Sequence, residues 1–374
     1  MSELAYPLAR VAAVRVLPQF EHQEGDEGLA PVPTLACMEA LIETAFWASL
    51  RREEGISPTI SLSWTPPSVC GAALHFERPL EFTPQALTRV AAAVERPGIH
   101  LGVWHDDGTL HVWGATRTLP PHSFVLEVVA PGMLVIKQSR GEESGKFVNA
   151  AVLHGDDIKV VEHRAASMAD APPAVRRLLG FEADTDPDAG AINVMLELAV
   201  SMREHNRGGA LLVVPAGTEM WRESVLHPLT YSVAPAFSAI AELMQKDDNE
   251  KPRRRWQDAV RRSVQGIAGL TAVDGATVAT YDYEVLAFGA KIIRGKGCAP
   301  VLDIKFVESV EGAVPQIVDP TQLGGTRHLS AAQFTQDQRD AIALVASQDG
   351  RFTVMAWSHA EQMVCAYRID SLLL

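Results

Sequence analysis

The run Gly325-Thr326-Arg327-His328-Leu329-Ser330-Ala331-Ala332 is the most informative part of this chain, and two shorter clusters accompany it. Asp274-Gly275-Ala276 lies upstream, and Ser347-Gln348-Asp349-Gly350 lies downstream. Each cluster is rich in turn-forming residues and adjoins an apolar run typical of a β-strand. We therefore expect one sheet to present three polar loops side by side, which is a common way to build a site.

The segments around these clusters alternate between helical and strand patterns. Residues 191–205 have amphipathic spacing that ends at Arg207-Gly208-Gly209, and the apolar run at 210–214 is typical of a strand. Further along, we predict a helix at 256–270 and strands at 271–278, 285–293, 301–307, 342–346 and 352–357. Together these elements predict a mixed α/β domain over residues 191–374.

The N-terminal half predicts a strand-rich α+β domain. Apolar residues recur at helical spacing over residues 33–52. Short runs rich in Val, Leu and aromatic residues predict strands at 59–64, 100–104, 109–113, 123–129 and 132–137. A Pro- and Asp-rich stretch separates the two halves, so we predict domains at 1–167 and 191–374 joined by a linker at 168–190.

One cluster in the N-terminal half has the residue types of a metal site. His105, Asp106 and Asp107 are adjacent and precede Gly108. An Asp-Gly pair between two alternating strands is, however, the strongest short signal for a β-hairpin, and it accounts for every residue of the cluster. We predict a hairpin turn here and no metal site.

Composition and charge exclude several classes of protein. The formal net charge of -13 argues against binding nucleic acid through a general positive field. The apolar runs are far shorter than the roughly 20 residues that cross a bilayer. The first residues lack the basic and apolar parts of a secretory signal, so we expect a cytoplasmic protein that does not enter the membrane. The four cysteines are scattered, and we interpret them as reduced packing residues.

Four segments of the C-terminal half resemble motifs of the diadenylate cyclase (DAC) family, in the same order. Residues 208–214 resemble the strand that opens a DAC domain, and residues 270–278 resemble its DGA strand. Residues 324–332 are similar to the GTRHRAA motif, and residues 340–354 are similar to the segment DAxxxVxSEExGxxxV. The resemblance implies a mixed twisted sheet flanked by helices and an enzyme that joins two ATP into cyclic di-AMP, with release of pyrophosphate. Through residues 49–55 and the strands that follow, the N-terminal half resembles the probable sensor domain called DACNV, which implies regulation by an unknown signal.

The resemblance implies a metal-dependent nucleotidyl transfer. The reaction needs a cation, and a hard ion such as Mg²⁺ or Mn²⁺ prefers carboxylate and phosphate oxygens. Asp274 is the expected catalytic metal ligand, and Asp349 is expected to contribute an acidic or metal-binding group. Gly275 and Ala276 are expected to bind the nucleotide, since Gly275 lets a ribose or phosphate approach the backbone.

The remaining expected site residues are suited to binding phosphate. Arg327 has a planar guanidinium that matches phosphate oxygens, and Thr326 and Ser347 contribute hydroxyl groups. His328 is expected to donate to phosphate or to ligate the metal, and Gly325 belongs to the loop that holds these groups. In the DAC family two domains meet face to face, so the resemblance also implies a homodimer or a higher oligomer.

The chain departs from the family pattern at two of these motifs. Leu329 stands where the family has a second Arg, which removes one expected cation. Gln348-Asp349 stands where the family has two Glu, and this loop is one residue shorter. The interval between the DGA and GTRH motifs is also longer than usual. It carries three cations that either replace the missing charge or lie on the solvated surface: Lys291, Arg294 and Lys296.

These departures leave two alternatives to an ATP cyclase. One is an inactive module that senses a nucleotide or cyclic dinucleotide, and the other is a cyclase that uses a different nucleotide. Aromatic residues of the same region are open to two interpretations as well. Tyr281, Tyr283 and Phe288 either stack on a base or belong to the core.

Overall fold

The computed structural model describes residues 5–21, 29–71, 73–96, 98–139, 147–161, 171–172, 175–176, 193–246 and 254–373. The chain divides into two compact units, Met1–Glu162 and His163–Leu373. Most of the predicted linker at 168–190 lies outside the described residues. Two of its members, Ala171 and Val175, pack into a core of the second unit.

The N-terminal unit contains an eight-stranded mixed sheet with the order β2-β4-β3-β1-β5-β6-β7-β8. Its helices are α1 (Leu8–Val16), α2 (Leu35–Ser49) and α3 (Pro84–Val94). Its strands are β1 (Ile60–Trp64), β2 (Leu74–Glu81), β3 (His100–Asp106), β4 (Thr109–Thr116), β5 (Phe124–Ala130), β6 (Met133–Ser139), β7 (Phe147–His154) and β8 (Asp157–Val160). Buried side chains of the three helices share one core with those of alternate strand residues, and the predicted strand-rich character is confirmed.

Helix α2 agrees closely with the prediction at 33–52. The Thr34 side chain accepts a hydrogen bond from the Cys37 amide at 3.2 Å, which satisfies one of the free donors at the start of the helix. Met38, Leu41 and Ile42 are fully buried, as their helical spacing predicts. The helix therefore begins at a side-chain cap and is held by one apolar face.

The hairpin predicted at Asp107-Gly108 is also confirmed. Strands β3 and β4 pair antiparallel on either side of it, and Asp106 lies opposite Thr109. Asp107 and Gly108 have φ values of 46° and 79°, which a two-residue hairpin turn of this kind requires. The neighbouring His105 belongs to the strand.

The C-terminal unit contains a nine-stranded mixed sheet with the order β10-β12-β11-β9-β15-β16-β17-β13-β14. Its helices are α4 (Val194–Glu204), α5 (Ala239–Met244), α6 (Arg254–Leu270) and α7 (Thr326–Asp337). Its strands are β9 (Gly209–Val214), β10 (Tyr231–Phe237), β11 (Ala276–Thr280), β12 (Val285–Ala290), β13 (Ile304–Glu308), β14 (Gln316–Val318), β15 (Ile342–Ala346), β16 (Phe352–Ser358) and β17 (Met363–Arg368). Two apolar cores, one built with α4, α5 and α6 and the other with α7, contain the buried strand side chains. The predicted mixed α/β class is confirmed.

The expectation of a polar loop at residues 325–332 is wrong. Gly325 is the N-cap residue of α7, and the helix contains the rest of the run. His328, Ala331 and Ala332 are buried on one face together with Phe334. Because these residues recur every three to four positions, they anchor the segment against the sheet as a helix.

The strand predicted at 271–278 begins later than expected, at Ala276. The amides of Thr271 and Val273 bond back to the carbonyls of Ala268 and Leu270, each at 3.1 Å, so the chain continues in turns after α6. Gly275 then has a φ of +113°, which is outside the range of a strand. Asp274 and Gly275 therefore lie in the connection before β11 rather than within it.

Among the described residues, no helix is both long enough and apolar enough to cross a membrane.

Gly102 of β3 tests the packing of the N-terminal unit. A Cβ atom here would lie 2.1 Å from Cε2 of Trp113, whose indole nitrogen donates to the Thr65 carbonyl at 2.8 Å. We expect Gly102→Ala to lower the free energy of unfolding by about 1–3 kcal/mol, because the added methyl group must displace a buried ring. Chemical denaturation measures this effect.

The matched control is Gly71→Ala, because a Cβ on Gly71 meets nothing within 4 Å. Equal stability of the two variants would contradict the tight packing of Trp113 on β3.

Candidate functional site

The register of four adjacent strands places two of the three polar clusters at the same end of the strands, which forms one edge of the C-terminal sheet. Ala276, the first residue of β11, pairs with Ala210 near the start of β9, and also with Ala290 at the end of β12. Gly209 pairs with Ala346, the last residue of β15. The residues next to these pairs along the chain therefore lie at the same edge. They are Gly208, Asp274, Gly275, Lys291 and Ser347.

Helix α7 contributes to this edge with the side chain of Arg327, in its first turn. A Cβ on Gly208 would lie 3.1 Å from Nη1 of Arg327, 3.2 Å from the Ala346 carbonyl and 3.3 Å from Cγ of Gln348. The guanidinium therefore lies between the start of β9 and the loop after β15. Thr326 precedes it and is exposed, and no side chain caps the helix at Gly325. The first amides of an α-helix have no partner within the helix, so this end favours an anion.

Gly275 has a backbone that other residues adopt poorly. Its φ is +113°, and a Cβ would lie 2.5 Å from the carbonyl carbon of Gly289. The chain before β11 thus packs directly on the backbone of β12, with no room for a side chain. Ala276 follows and is buried in the sheet. The expected DGA motif therefore has a structural requirement for glycine at its second position.

Asp274 forms an ion pair with Lys291. The side chains are exposed, with relative accessibilities of 86% for Asp274 and 51% for Lys291. The hydrogen bond from Lys291 and its charge lower the pKa of Asp274, and the charge of Arg327 acts in the same direction. Of the three cations left open by the sequence, Lys291 is thus the one found beside a predicted site residue.

The loop at 347–350 is a tight turn. The Ser347 amide donates to the Arg351 carbonyl at 2.8 Å, and Gly350 has a φ of +82°. Arg203 of α4 supports the loop, because its Nε donates to the Gly350 carbonyl at 2.9 Å. Burial acts to raise the pKa of Asp349, but hydrogen bonds from the Ser347 side chain and the Arg351 amide outweigh it, so the pKa is lowered.

His328 lies inside the protein, although we expected it to contact phosphate or metal directly. It is 2% exposed, and its Nε2 has no hydrogen-bond partner among the residues that the structure describes. Gly324 makes room for the ring, because a Cβ there would lie 2.4 Å from Nδ1. Burial lowers the pKa of His328 to about 4, and Arg368 adds to this effect, whereas Asp349 opposes it. His328 is therefore neutral at pH 7 and, as it stands in this structure, packs next to Gly324 in the interior.

The expected metal ligands can be tested against the donor set. Among the described residues, no group of three or more His, Cys, Asp or Glu side chains could hold a metal ion. Mg²⁺ is commonly bound by one or two carboxylates together with substrate phosphates and water. The exposed carboxylate of Asp274, beside a helix N-terminus that favours phosphate, fits this mode of binding, in which the substrate supplies part of the coordination.

The aromatic residues divide into one pair that packs against the core and a second pair whose rings stack on each other. Tyr281 and Tyr283 follow β11 at the end opposite Asp274 and pack against the apolar core. The Tyr281 hydroxyl donates to the Asp340 carbonyl at 2.9 Å, and burial raises its pKa to about 12. By contrast, Phe288 stacks on Tyr231 with ring centroids 4.6 Å apart, next to Gly289. Sequence reasoning missed Tyr231, because its strand β10 was not predicted.

The N-terminal unit contains a separate cavity of about 260 Å³. It is bounded by α3 and the strands β2 and β4, and its wall is mostly apolar. Arg117 is the charged group that lines it. No residue of this cavity was singled out from the sequence.

Comparison with known families identifies part of the N-terminal unit. Residues 27–117 match the family model described as "Probable sensor domain DACNV". This range includes α2, α3, the strands β1 to β4 and all residues that line the 260 Å³ cavity. The match supports the sensor domain that the sequence predicted, and it does not extend into the C-terminal unit. Comparison with curated proteins found no match.

The buried imidazole generates a prediction about pH. Since the pKa of His328 falls from 6.5 to about 4, the unfolded chain binds a proton in this pH range that the folded chain does not. We expect stability to decline as the pH falls from about 6.5 towards 4, with His328 contributing at most about 3 kcal/mol.

The check is a histidine titration by NMR, with the His328 signal assigned by its absence in His328→Gln. A midpoint near 6.5 for that signal would contradict the buried, neutral ring. The titration is preferable to a stability curve alone, because burial also lowers the pKa of His100 in the other unit to about 4.

Proposed function

We propose that the C-terminal unit is a diadenylate cyclase, a nucleotidyltransferase that joins two ATP into cyclic di-AMP with release of pyrophosphate. The observation that carries the proposal is the meeting of segments 208–214, 274–276, 325–328 and 347–350 at one sheet edge. Their order along the chain resembles the DAC family, and a chance resemblance has no reason to bring all four together. The proposed reaction then assigns a task to each group.

The triphosphate is proposed to bind at the start of α7. Arg327 presents a planar guanidinium there, and the positive end of the helix dipole favours an anion. Thr326 is the first residue of this helix, and Ser347 lies in the loop after β15. The hydroxyl groups of both residues are suited to donate to phosphate. The buried neutral ring of His328 anchors the first turn of α7 rather than contacting the nucleotide.

Asp274 would hold the Mg²⁺ or Mn²⁺ ion together with phosphate oxygens. The ion supplies charge neutralisation on the phosphates and favours loss of the proton from the attacking hydroxyl. In each transfer a 3′ oxygen bonds to the α-phosphorus of the other ATP, the bond to the β-phosphate breaks, and pyrophosphate leaves. The residues of this edge contribute mainly by orientation and by charge.

Two copies of the chain are needed for the complete reaction. The proposed edge binds one ATP, so a second copy must present the other ATP from the opposite side. The groups concerned are accessible, because Thr326 and the Asp274 carboxylate are exposed. We therefore propose a homodimer or higher oligomer in which the C-terminal units meet face to face.

Lys291 is proposed to replace the cation that Leu329 removes. Its ammonium group already lies beside Asp274 at the same edge. A flexible lysine can move from the carboxylate to a phosphate oxygen when nucleotide and metal arrive, since the carboxylate then has a new cation.

The N-terminal unit is proposed to regulate the reaction. Its match to the DACNV sensor domain supports a signal-binding role, and the 260 Å³ cavity inside the matched range is a place for a small signal.

Two alternatives to an ATP cyclase follow from the Leu329 and Gln348-Asp349 departures. Either the C-terminal unit binds a nucleotide or cyclic dinucleotide without catalysing a reaction, or it is a cyclase whose substrate is a nucleotide other than ATP.

Product formation tests the proposal directly. We expect the purified full-length protein, incubated with ATP and Mn²⁺ or Mg²⁺, to form cyclic di-AMP and pyrophosphate. Asp274→Asn should reduce the rate by on the order of 100-fold, because the metal loses its carboxylate. Mass spectrometry of the products gives the rate.

Asp282→Asn is the matched control, since Asp282 is exposed just beyond the opposite end of β11. Equal loss in both variants, or full activity of Asp274→Asn, would contradict the assignment. ATP binding with no product would favour the sensing module, and product only from another nucleotide would favour the other cyclase.

Lys291 is tested by a change in its charge. We expect Lys291→Gln to raise the KM for ATP by roughly tenfold, as loss of one charge-assisted contact to phosphate costs about 1.5 kcal/mol or more. Lys296→Gln provides the comparison, because Lys296 is an exposed cation of the same segment. The same KM for both variants would assign Lys291 to the solvated surface.

A further inference from the structure

The C-terminal unit has a second concave site away from the proposed catalytic edge. It is a cavity of about 590 Å³ between α6 and the strands β10 and β12. Val233, Phe237 and Val285 form the strand side. Helix α6 forms the other side with Ala259, Arg262, Ser263, Gly266, Ile267 and Leu270.

Small residues on one face of α6 create this cavity. Ala259, Ser263 and Gly266 recur three to four positions apart, so they lie on the same stripe of the helix. A Cβ on Gly266 would meet nothing within 4 Å. The space is therefore left open by the sequence of the helix itself, at a position where glycine costs helix stability of about 1 kcal/mol relative to alanine.

The cavity has an apolar wall and two polar groups with no partner in the described part of the chain. The Arg262 guanidinium and the Ser263 hydroxyl form no hydrogen bond or ion pair with a described residue. Both project from the helix at adjacent positions, while the strand side is entirely apolar. A ligand that fits both surfaces has an apolar body and an anionic end.

The position of the cavity separates it from the site of the proposed reaction. Val285 pairs with Ala279 and with Phe237, at the end of β12 opposite to Ala290. Asp274, Arg327 and Ser347 do not line the cavity. A ligand in this cavity would therefore bind at a place separate from the proposed nucleotide site.

We propose that this cavity binds a small amphipathic organic anion, with an apolar chain in the cavity and a carboxylate-like head on Arg262 and Ser263. The volume lies within the range of about 300–1,000 Å³ that is usual for small-molecule sites. Guanidinium pairs well with a planar carboxylate and keeps its charge at every physiological pH. The proposal does not rest on the cyclase activity, so either one can fail without the other.

Titration calorimetry on the full-length protein tests the proposal, with decanoate as the probe below its micelle concentration. We expect saturable binding of decanoate, and much weaker binding of butyrate, which has the same head but little apolar surface. 1-Decanol, which has the chain without the charge, should bind about tenfold more weakly than decanoate if the head pairs with Arg262.

Two variants locate the binding, and each has a matched control on the same helix. Gly266→Leu fills the cavity and should abolish decanoate binding, whereas Gly269→Leu should not, because Gly269 also has open space but does not line the cavity. Arg262→Gln should weaken decanoate about tenfold and leave 1-decanol unchanged. Arg261→Gln, at the exposed neighbouring arginine, should change neither.

Three results would overturn the proposal. They are the absence of saturable decanoate binding to wild type, unchanged binding in Gly266→Leu, and equal effects of Arg262→Gln and Arg261→Gln. Circular dichroism confirms that each variant is folded. If Gly266→Leu is not folded, Ser263→Leu obstructs the same stripe, and the surface pair Arg262→Gln and Arg261→Gln gives an independent answer.

Discussion

The hydrogen-bond register of β9 is the constraint on which the candidate site depends. This central strand is parallel to β11 and antiparallel to β15, and all six of its residues are buried. Because strand side chains alternate between faces, a slip of one residue would move every apolar side chain to the wrong core. Burial on both faces therefore fixes which residues of the neighbouring strands meet at the edge, and the polar clusters follow from that register.

Glycine allows the edge to be crowded without steric conflict. Gly208 lies against Arg327, and Gly275 lies on the backbone of Gly289. Each has a positive φ, of 68°, 113° and 63° for Gly208, Gly275 and Gly289 respectively. Side chains at these positions would push β11 away from β12, and Arg327 away from β9. The residues that make the site possible are thus different from those that would carry its chemistry.

Much of the fold was predictable because its strongest signals are local. Apolar periodicity over 33–52 and the Asp107-Gly108 turn need only neighbouring residues, and the structure contains both elements. Helix α7 was missed because its start looks like a turn: Gly324-Gly325 and a polar first turn precede the buried Ala331 and Ala332. Strand β10 was missed because it is an exposed edge strand that contains Pro235 and has no alternating apolar pattern.

The sequence predicted which segments would meet at this edge, but not the exposure of their side chains. Short motifs single out Asp274, Arg327 and Ser347 by residue type. The strand register brings Asp274 and Ser347 to one edge, and the Arg327 side chain reaches it from α7. Whether a side chain points into solvent or into the core depends on the packing of the whole helix. The burial of His328 could therefore not be predicted from the four-residue motif at 325–328. The cavities were invisible for the same reason, since each depends on side chains far apart in the sequence that leave space together.

The ion pair between Asp274 and Lys291 is the feature of this edge on which the proposed binding of a metal and a triphosphate depends. Without nucleotide, the carboxylate and the ammonium neutralise each other, and neither charge is left unpaired beside Arg327. If a divalent ion bound at the carboxylate, it would supply positive charge to the phosphates, and the Lys291 ammonium would be free to pair with a phosphate oxygen. Both side chains of the pair are exposed, so water screens their charges and either one can exchange its partner at little electrostatic cost. Lys291 would then supply a cation for phosphate in place of the one that Leu329 removes, which is the departure that most weakens the resemblance to an active cyclase.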